Sequence, residues 1–130
     1  MLNKLLESQV SSKSLGLFRI IYCIVLFLEV WRMNFFQHLI YDKIPYFERN
    51  ELLFGPILIL WLCIIPLLII GFKTRVAAIL NYVMGFFLIG TIHGYEYHMF
   101  YTYMVINFFM IFSPISKSYS IDSLIERINK

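Results

Sequence analysis

The chain has 130 residues, of which 60% are hydrophobic, 18% aromatic and only 15% charged, with a mean hydropathy of +0.75. A water-soluble domain of this size carries about 25% charged residues, so a soluble core cannot absorb this much apolar surface. The net charge of +3 contains no basic run, which argues against a nucleic-acid partner.

The opening segment, 1–13, is polar, with Lys4, Glu7 and Lys13. The spacing of Leu5, Leu6 and Val10 suits a short helix lying on a membrane surface. No small-residue cleavage site follows a short apolar stretch. The first apolar span is therefore expected to act as its own insertion signal. That span covers 14–33, with Arg19 near one end and Glu29 near the other.

A mixed loop follows, in which Phe35, Phe36, Tyr41, Tyr46 and Phe47 alternate with charges, a pattern suited to the headgroup layer. The second span, 52–70, runs 19 residues without a charge. That length crosses a hydrocarbon layer of about 30 Å at about 1.5 Å per residue. Pro56 falls in its first turn, where a missing N–H does little harm. Pro66 lies deeper and is expected to kink or loosen the last turns. Gly71 is the expected helix stop.

The basic turn 72–75 forces the second and third spans into an antiparallel hairpin. The third span, 76–92, holds Asn81, Gly85 and Gly90, and its small residues permit close helix approach. The fourth, 95–112, is rich in Tyr and Phe and ends before Pro114. In the polar tail, 113–130, Ser123 and Glu126 match a capping box. Leu124, Ile125 and Ile128 then give a short amphipathic helix. The expected fold is all-α: an integral membrane bundle of four transmembrane helices with an amphipathic C-terminal helix.

Four spans put both termini and the 72–75 turn on one side. That side holds Lys4, Lys13, Arg19, Lys73, Arg75, Lys117, Arg127 and Lys130, against Arg32, Lys43 and Arg49 on the other. Eight basic residues against three place the N and C termini in the cytoplasm of a cell membrane. His38, His93, His98, Asp42, Glu48, Glu51 and Glu96 then lie toward the outer side, where chemistry is expected.

The candidate site residues are His98, Glu29 and Arg19. Arg19 is either an interface anchor whose stem snorkels to the headgroups, or part of a buried polar site. Glu29 is either a surface acid paired with Arg32 three residues on, or a member of such a site. His98 suits a lone acid, base or hydrogen-bond donor. No metal is expected: His93 and His98, five residues apart, stand about 140° apart on a helix rather than one turn apart. Asn81 and Asn107 are isolated polar groups and suggest an interhelical hydrogen bond. Cys23 and Cys63 read as buried small hydrophobes. The fourth-span aromatics either pack and form an interface belt, or line a slot for a flat apolar ligand such as a quinone.

Leu15-Gly16-Leu17-Phe18-Arg19-Ile20, the acid Glu29 ten residues after the arginine, His98 before an aromatic span, Phe112-Ser113-Pro114 and Tyr119-Ser120-Ile121-Asp122 together resemble the HTTM domain. That is the membrane domain of the vitamin K-dependent gamma-carboxylases and their bacterial relatives. Tyr97 and Tyr119 stand where the family tends to have Asn and Trp. The family's domain is about twice this length, and the later helices, which bear the carboxylases' catalytic lysine, have no counterpart here. The resemblance implies the N-terminal half of such a domain, without stand-alone catalysis, completed by a second copy or a second polypeptide. It implies a quinone as cofactor if the chain is carboxylase-like. A second resemblance, carried by Gly71-Phe72-Lys73-Thr74-Arg75-Val76-Ala77-Ala78, is to the small four-helix DoxX/MauE-like class of accessory redox proteins.

Overall fold

A computed structural model describes residues 2–42, 54–91, 98–117 and 119–130, with the backbone alone for 2–12 and for 98. The described residues are all-α. In chain order they form α1 (Leu2–Phe35), α2 (Gln37–Tyr41), α3 (Phe54–Ile70), α4 (Thr74–Gly90), α5 (His98–Phe112) and α6 (Ile121–Ile128). The stretch Lys13–Phe35 within α1 is long and apolar enough to cross a membrane, whereas Phe54–Ile70, Thr74–Gly90 and Met99–Phe112 are shorter apolar helices.

Each long helix buries one stripe at helical spacing. On α1 the stripe is Arg19, Tyr22, Cys23, Leu26, Val30 and Met33. On α3 it is Phe54, Leu58, Trp61, Leu62, Ile65 and Leu68. The α4 stripe is Thr74, Ala77, Ala78, Asn81, Gly85 and Leu88, and its small side chains let the neighbouring helices close in. Along α5 the stripe is Phe100, Tyr103, Asn107 and Met110. These stripes follow i, i+3, i+4, i+7 spacing, which puts one face of each helix inward. Helix α1 packs on α3, α3 on α4 and α4 on α5. Side-chain hydrogen bonds from Tyr22 to Tyr103 and Asn107 close the ring between α1 and α5.

The outward faces are apolar too. Ile21, Leu28, Leu60, Val83, Phe86 and Val105 are each 54–64% exposed, and no charged residue lies between Phe54 and Ile70. Cys23 is buried, but Cys63 lies on the exposed face of α3 rather than in the core.

Helix ends follow from local chemistry. Gly71 has φ +72° and ends α3, and the Phe72 N–H reaches back to Leu67 O at 3.0 Å, closing the last turn. Pro66 sits inside α3, which continues through it to Ile70. The capping box expected at Ser123 and Glu126 is not the one used. Ser120 is the N-cap of α6, its side chain accepting from the Ser123 N–H at 3.1 Å, while the Ser123 hydroxyl donates back to Ser120 O at 2.7 Å. The opening segment is likewise no separate surface helix. With no proline or glycine before Gly16, α1 runs unbroken from Leu2 into the apolar span.

Candidate functional site

Among the described residues, three polar centres interrupt the apolar bundle. The first lies where the tail meets the α3–α4 turn. Arg19 is fully buried. Its guanidinium donates one N–H to Ile115 O and another to Tyr119 O, the latter at 2.5 Å. A guanidinium carries its donors on separate nitrogens in a rigid, planar fork, here one nitrogen to each carbonyl, whereas an ammonium offers all its donors from a single nitrogen. Arg19 therefore does not snorkel; it ties the first helix to a chain segment 96 and 100 residues away.

The same tail closes the start of α4. The Asp122 carboxylate accepts from the Lys73 N–H and Thr74 N–H, both at 2.8 Å, and from the Thr74 hydroxyl at 2.7 Å. Two of the orphan donors at the helix start are thereby satisfied by an acid placed against the positive end of the helix dipole. Burial pushes the Asp122 carboxyl up, but the hydrogen bonds from Thr74 and Lys73, together with the nearby Arg19 charge, outweigh it and hold the group below the usual carboxylate range. The Asp122 N–H in turn donates to Gly71 O at 3.0 Å. Gly71 has a second reason to be glycine: a Cβ there would lie 2.3 Å from the Ser120 Cβ.

The second centre is at mid-bundle and takes one side chain from each long helix. Trp61 Nε1 on α3 donates to Asn81 Oδ1 on α4 at 2.7 Å. Asn81 Nδ2 donates to Asn107 Oδ1 on α5 at 2.9 Å, and the Tyr22 hydroxyl on α1 donates to the same oxygen at 2.8 Å. Indole is a donor only, so it fixes the orientation of the Asn81 amide, which in turn fixes that of Asn107. The expected bond between Asn81 and Asn107 is present. Tyr22 and Trp61 were not singled out by the sequence, because two more aromatics in an aromatic-rich chain carry no signal of their own. Gly85 leaves the room that this cluster needs: an added Cβ would meet Asn107 Nδ2 and Trp61 at 3.4 Å each.

The third centre is a groove of about 420 Å³ at the opposite end from the tail, lined by Glu29, Arg32, Met33, Phe36, Leu39, Ile40 and Phe100. Glu29 Oε1 lies 3.7 Å from Arg32 Nη1, with the glutamate side chain 25% exposed and the arginine 70%. An apolar trough with one acid–base pair at its rim can seat a flat or elongated apolar molecule and fix its polar end. Nearby, His38 Nδ1 lies 3.1 Å from Asp42 Oδ2.

The three residues expected to form the site are thus not brought together. Arg19 and Glu29 are ten positions apart on α1, about 15 Å along the axis, and serve opposite ends of the bundle. His98 begins α5 on the same element as the groove residue Phe100; its side chain, like His93, lies outside the described residues. Of the fourth-span aromatics, Phe100 and Tyr103 are buried and Tyr101, Phe108, Phe109 and Phe112 are exposed. Among the described residues no three His, Cys, Asp or Glu side chains gather as a metal site. Comparison with protein-family models, with curated proteins and with solved structures finds no match.

Proposed function

We propose that this chain is a four-span integral membrane protein with both termini in the cytoplasm, working as a scaffold and ligand-seating module rather than as a stand-alone catalyst. The observation that carries this reading is inverted polarity. The side chains able to hydrogen-bond, Tyr22, Trp61, Asn81 and Asn107, meet inside, while Ile21, Leu60, Val83 and Val105 face out. Soluble monomers rarely expose contiguous apolar surface beyond a few hundred Å². In lipid such a surface costs nothing, and the buried polar cluster is what holds helices together. Helices α3 and α4, of 17 residues each, are at the short end of what spans a bilayer. The expected spans 52–70 and 95–112 begin in residues outside the described set.

The order Arg19, Glu29, His98 and Asp122 supports kinship with the N-terminal half of an HTTM domain. The groove beside Glu29 is the place for a membrane-soluble ligand. A quinone, the class that the resemblance implies, fits its mixture of apolar walls and a charged rim. A second copy or a second polypeptide is the proposed partner of this module.

The test is reconstitution in lipid nanodiscs with a short-chain quinone titrated against intrinsic tryptophan fluorescence; Trp31 lies on α1, the helix that bears Glu29. Saturable quenching, weakened in a Glu29→Gln variant, is expected, with no oxidation of added hydroquinone by the chain alone. Saturable quenching unchanged by that variant would remove the ligand from the groove. Release of the protein by alkaline carbonate would end the membrane reading itself.

A further inference from the structure

The tail helix α6 is unlike the other helices. Its apolar residues Ile121, Leu124, Ile125 and Ile128 fall within an arc of about 100°. Asp122, Ser123, Glu126 and Arg127 fill the opposite arc. The bundle does not cover the apolar arc: Leu124 is 56%, Ile125 43% and Ile128 81% exposed. The helix is not loose, because Asp122 holds its first turn to the start of α4. Exposed Phe72 in the α3–α4 turn and exposed Tyr119 just before α6 belong to the same end of the bundle. The Lys73 ammonium stands 5.9 Å from the Phe72 ring centre.

Charge completes the pattern. Lys73, Arg75, Lys117, Arg127 and Lys130 gather on this end against Asp122 and Glu126. Asp122 is engaged by the α4 start, and Glu126 lies 3.3 Å from Lys130. A surface that is apolar along one line and cationic beside it matches the headgroup layer of an anionic leaflet, where each nearby Lys or Arg adds to the attraction.

We infer that α6 is an amphipathic foot that docks in the anionic phospholipid surface at the Arg19 end of the bundle. The Asp122 contacts set where it lands, and the Arg19 fork keeps the preceding segment in place. This rests on the reading that the bundle spans a membrane. It adds what that reading lacks: a partner for α6 and the headgroup charge it prefers.

The experiment uses the full chain with Cys23 and Cys63 replaced by Ala and a nitroxide at Ile128→Cys, Arg127→Cys or Val83→Cys. The variants are placed in nanodiscs of phosphatidylcholine, alone or mixed with phosphatidylglycerol. Accessibility to oxygen and to a water-soluble nickel chelate is read by electron paramagnetic resonance. The label at 128 should become oxygen-accessible and chelate-protected when phosphatidylglycerol is present, while the label at 127 stays chelate-accessible. Adding Lys117→Gln should lower the docked-to-free ratio about fivefold. A wet label at 128 in both lipid mixtures overturns the proposal, as does immersion indifferent to headgroup charge. Dipolar coupling between labels at 128 would assign the face to a second copy and overturn it equally. The label at 83 separates this from the membrane reading: if 83 contacts lipid and 128 does not, only the foot is lost.

Discussion

Replacing Arg19 by Leu should free the tail while leaving the bundle assembled. The wild-type guanidinium makes two hydrogen bonds to backbone carbonyls, Ile115 O and Tyr119 O. Charge-assisted bonds contribute about 1.5–3 kcal/mol each, so their loss costs about 3–6 kcal/mol. A leucine in the same space returns about 1.5–3 kcal/mol through its own burial. The net cost of about 1.5–3 kcal/mol raises the population with the tail released about 10–150-fold, at tenfold per 1.4 kcal/mol. Trypsin reads that population, since cleavage of a transiently opened segment tracks the opening equilibrium when reclosing is fast. Cleavage after Lys117 in Arg19→Leu should accelerate by about that factor. Arg19→Lys, which keeps the charge but reaches one carbonyl, should fall between the two. Cleavage of Arg19→Leu at the wild-type rate would refute the reasoning and return Arg19 to the role of a headgroup anchor.

Gly71→Ala should release the tail as well, since its Cβ would lie 2.3 Å from that of Ser120 on a backbone with φ +72°; the same protease assay reads it. Asp122→Asn should destabilise the fold by the worth of a carboxylate at a helix start, about 0.3–1 kcal/mol, read as a lower midpoint of thermal unfolding. Because folding depresses the Asp122 pKa, its contribution is present above the ordinary carboxylate pKa of about 3.9 and fades as pH falls through the lower folded value. Wild type should therefore lose its advantage over Asp122→Asn on acidification, and a gap that is constant down to the most acid pH would contradict the assignment. Asn107→Leu and Asn81→Leu should cost about the same, since each strands one buried donor, Asn81 N–H or Trp61 N–H, while Tyr22 O–H keeps Tyr103 O at 3.2 Å; unfolding in detergent compares them, and a much larger loss for Asn107→Leu would show that Tyr103 does not hold the hydroxyl.

The helices were readable because run length, Gly71 and the small residues of α4 all speak locally. The Asn81–Asn107 bond was readable because a lone amide in an apolar run needs a partner on another helix. The Arg19 fork was not, since its acceptors are backbone carbonyls, which any residue supplies and no sequence pattern marks. Asp122 was noticed only through a family resemblance: capping a helix 48 residues earlier is a tertiary event with no local trace. The cap of α6 slipped by three residues because the tail carries several serines, each able to start a helix. The docking of Asp122 on α4 selects Ser120 among them. The groove beside Glu29 depends on how α1, α2 and α5 meet, which spacing alone does not determine.

The central claim is the path of the chain through lipid, and single cysteines read it directly. In a chain whose Cys23 and Cys63 are replaced by Ala, Lys43→Cys, Lys73→Cys and Lys130→Cys are treated in intact cells with a maleimide that cannot cross membranes. The account predicts that 43 is labelled at once, and that 73 and 130 react only after permeabilisation. Labelling of 73 or 130 in unbroken cells would contradict it.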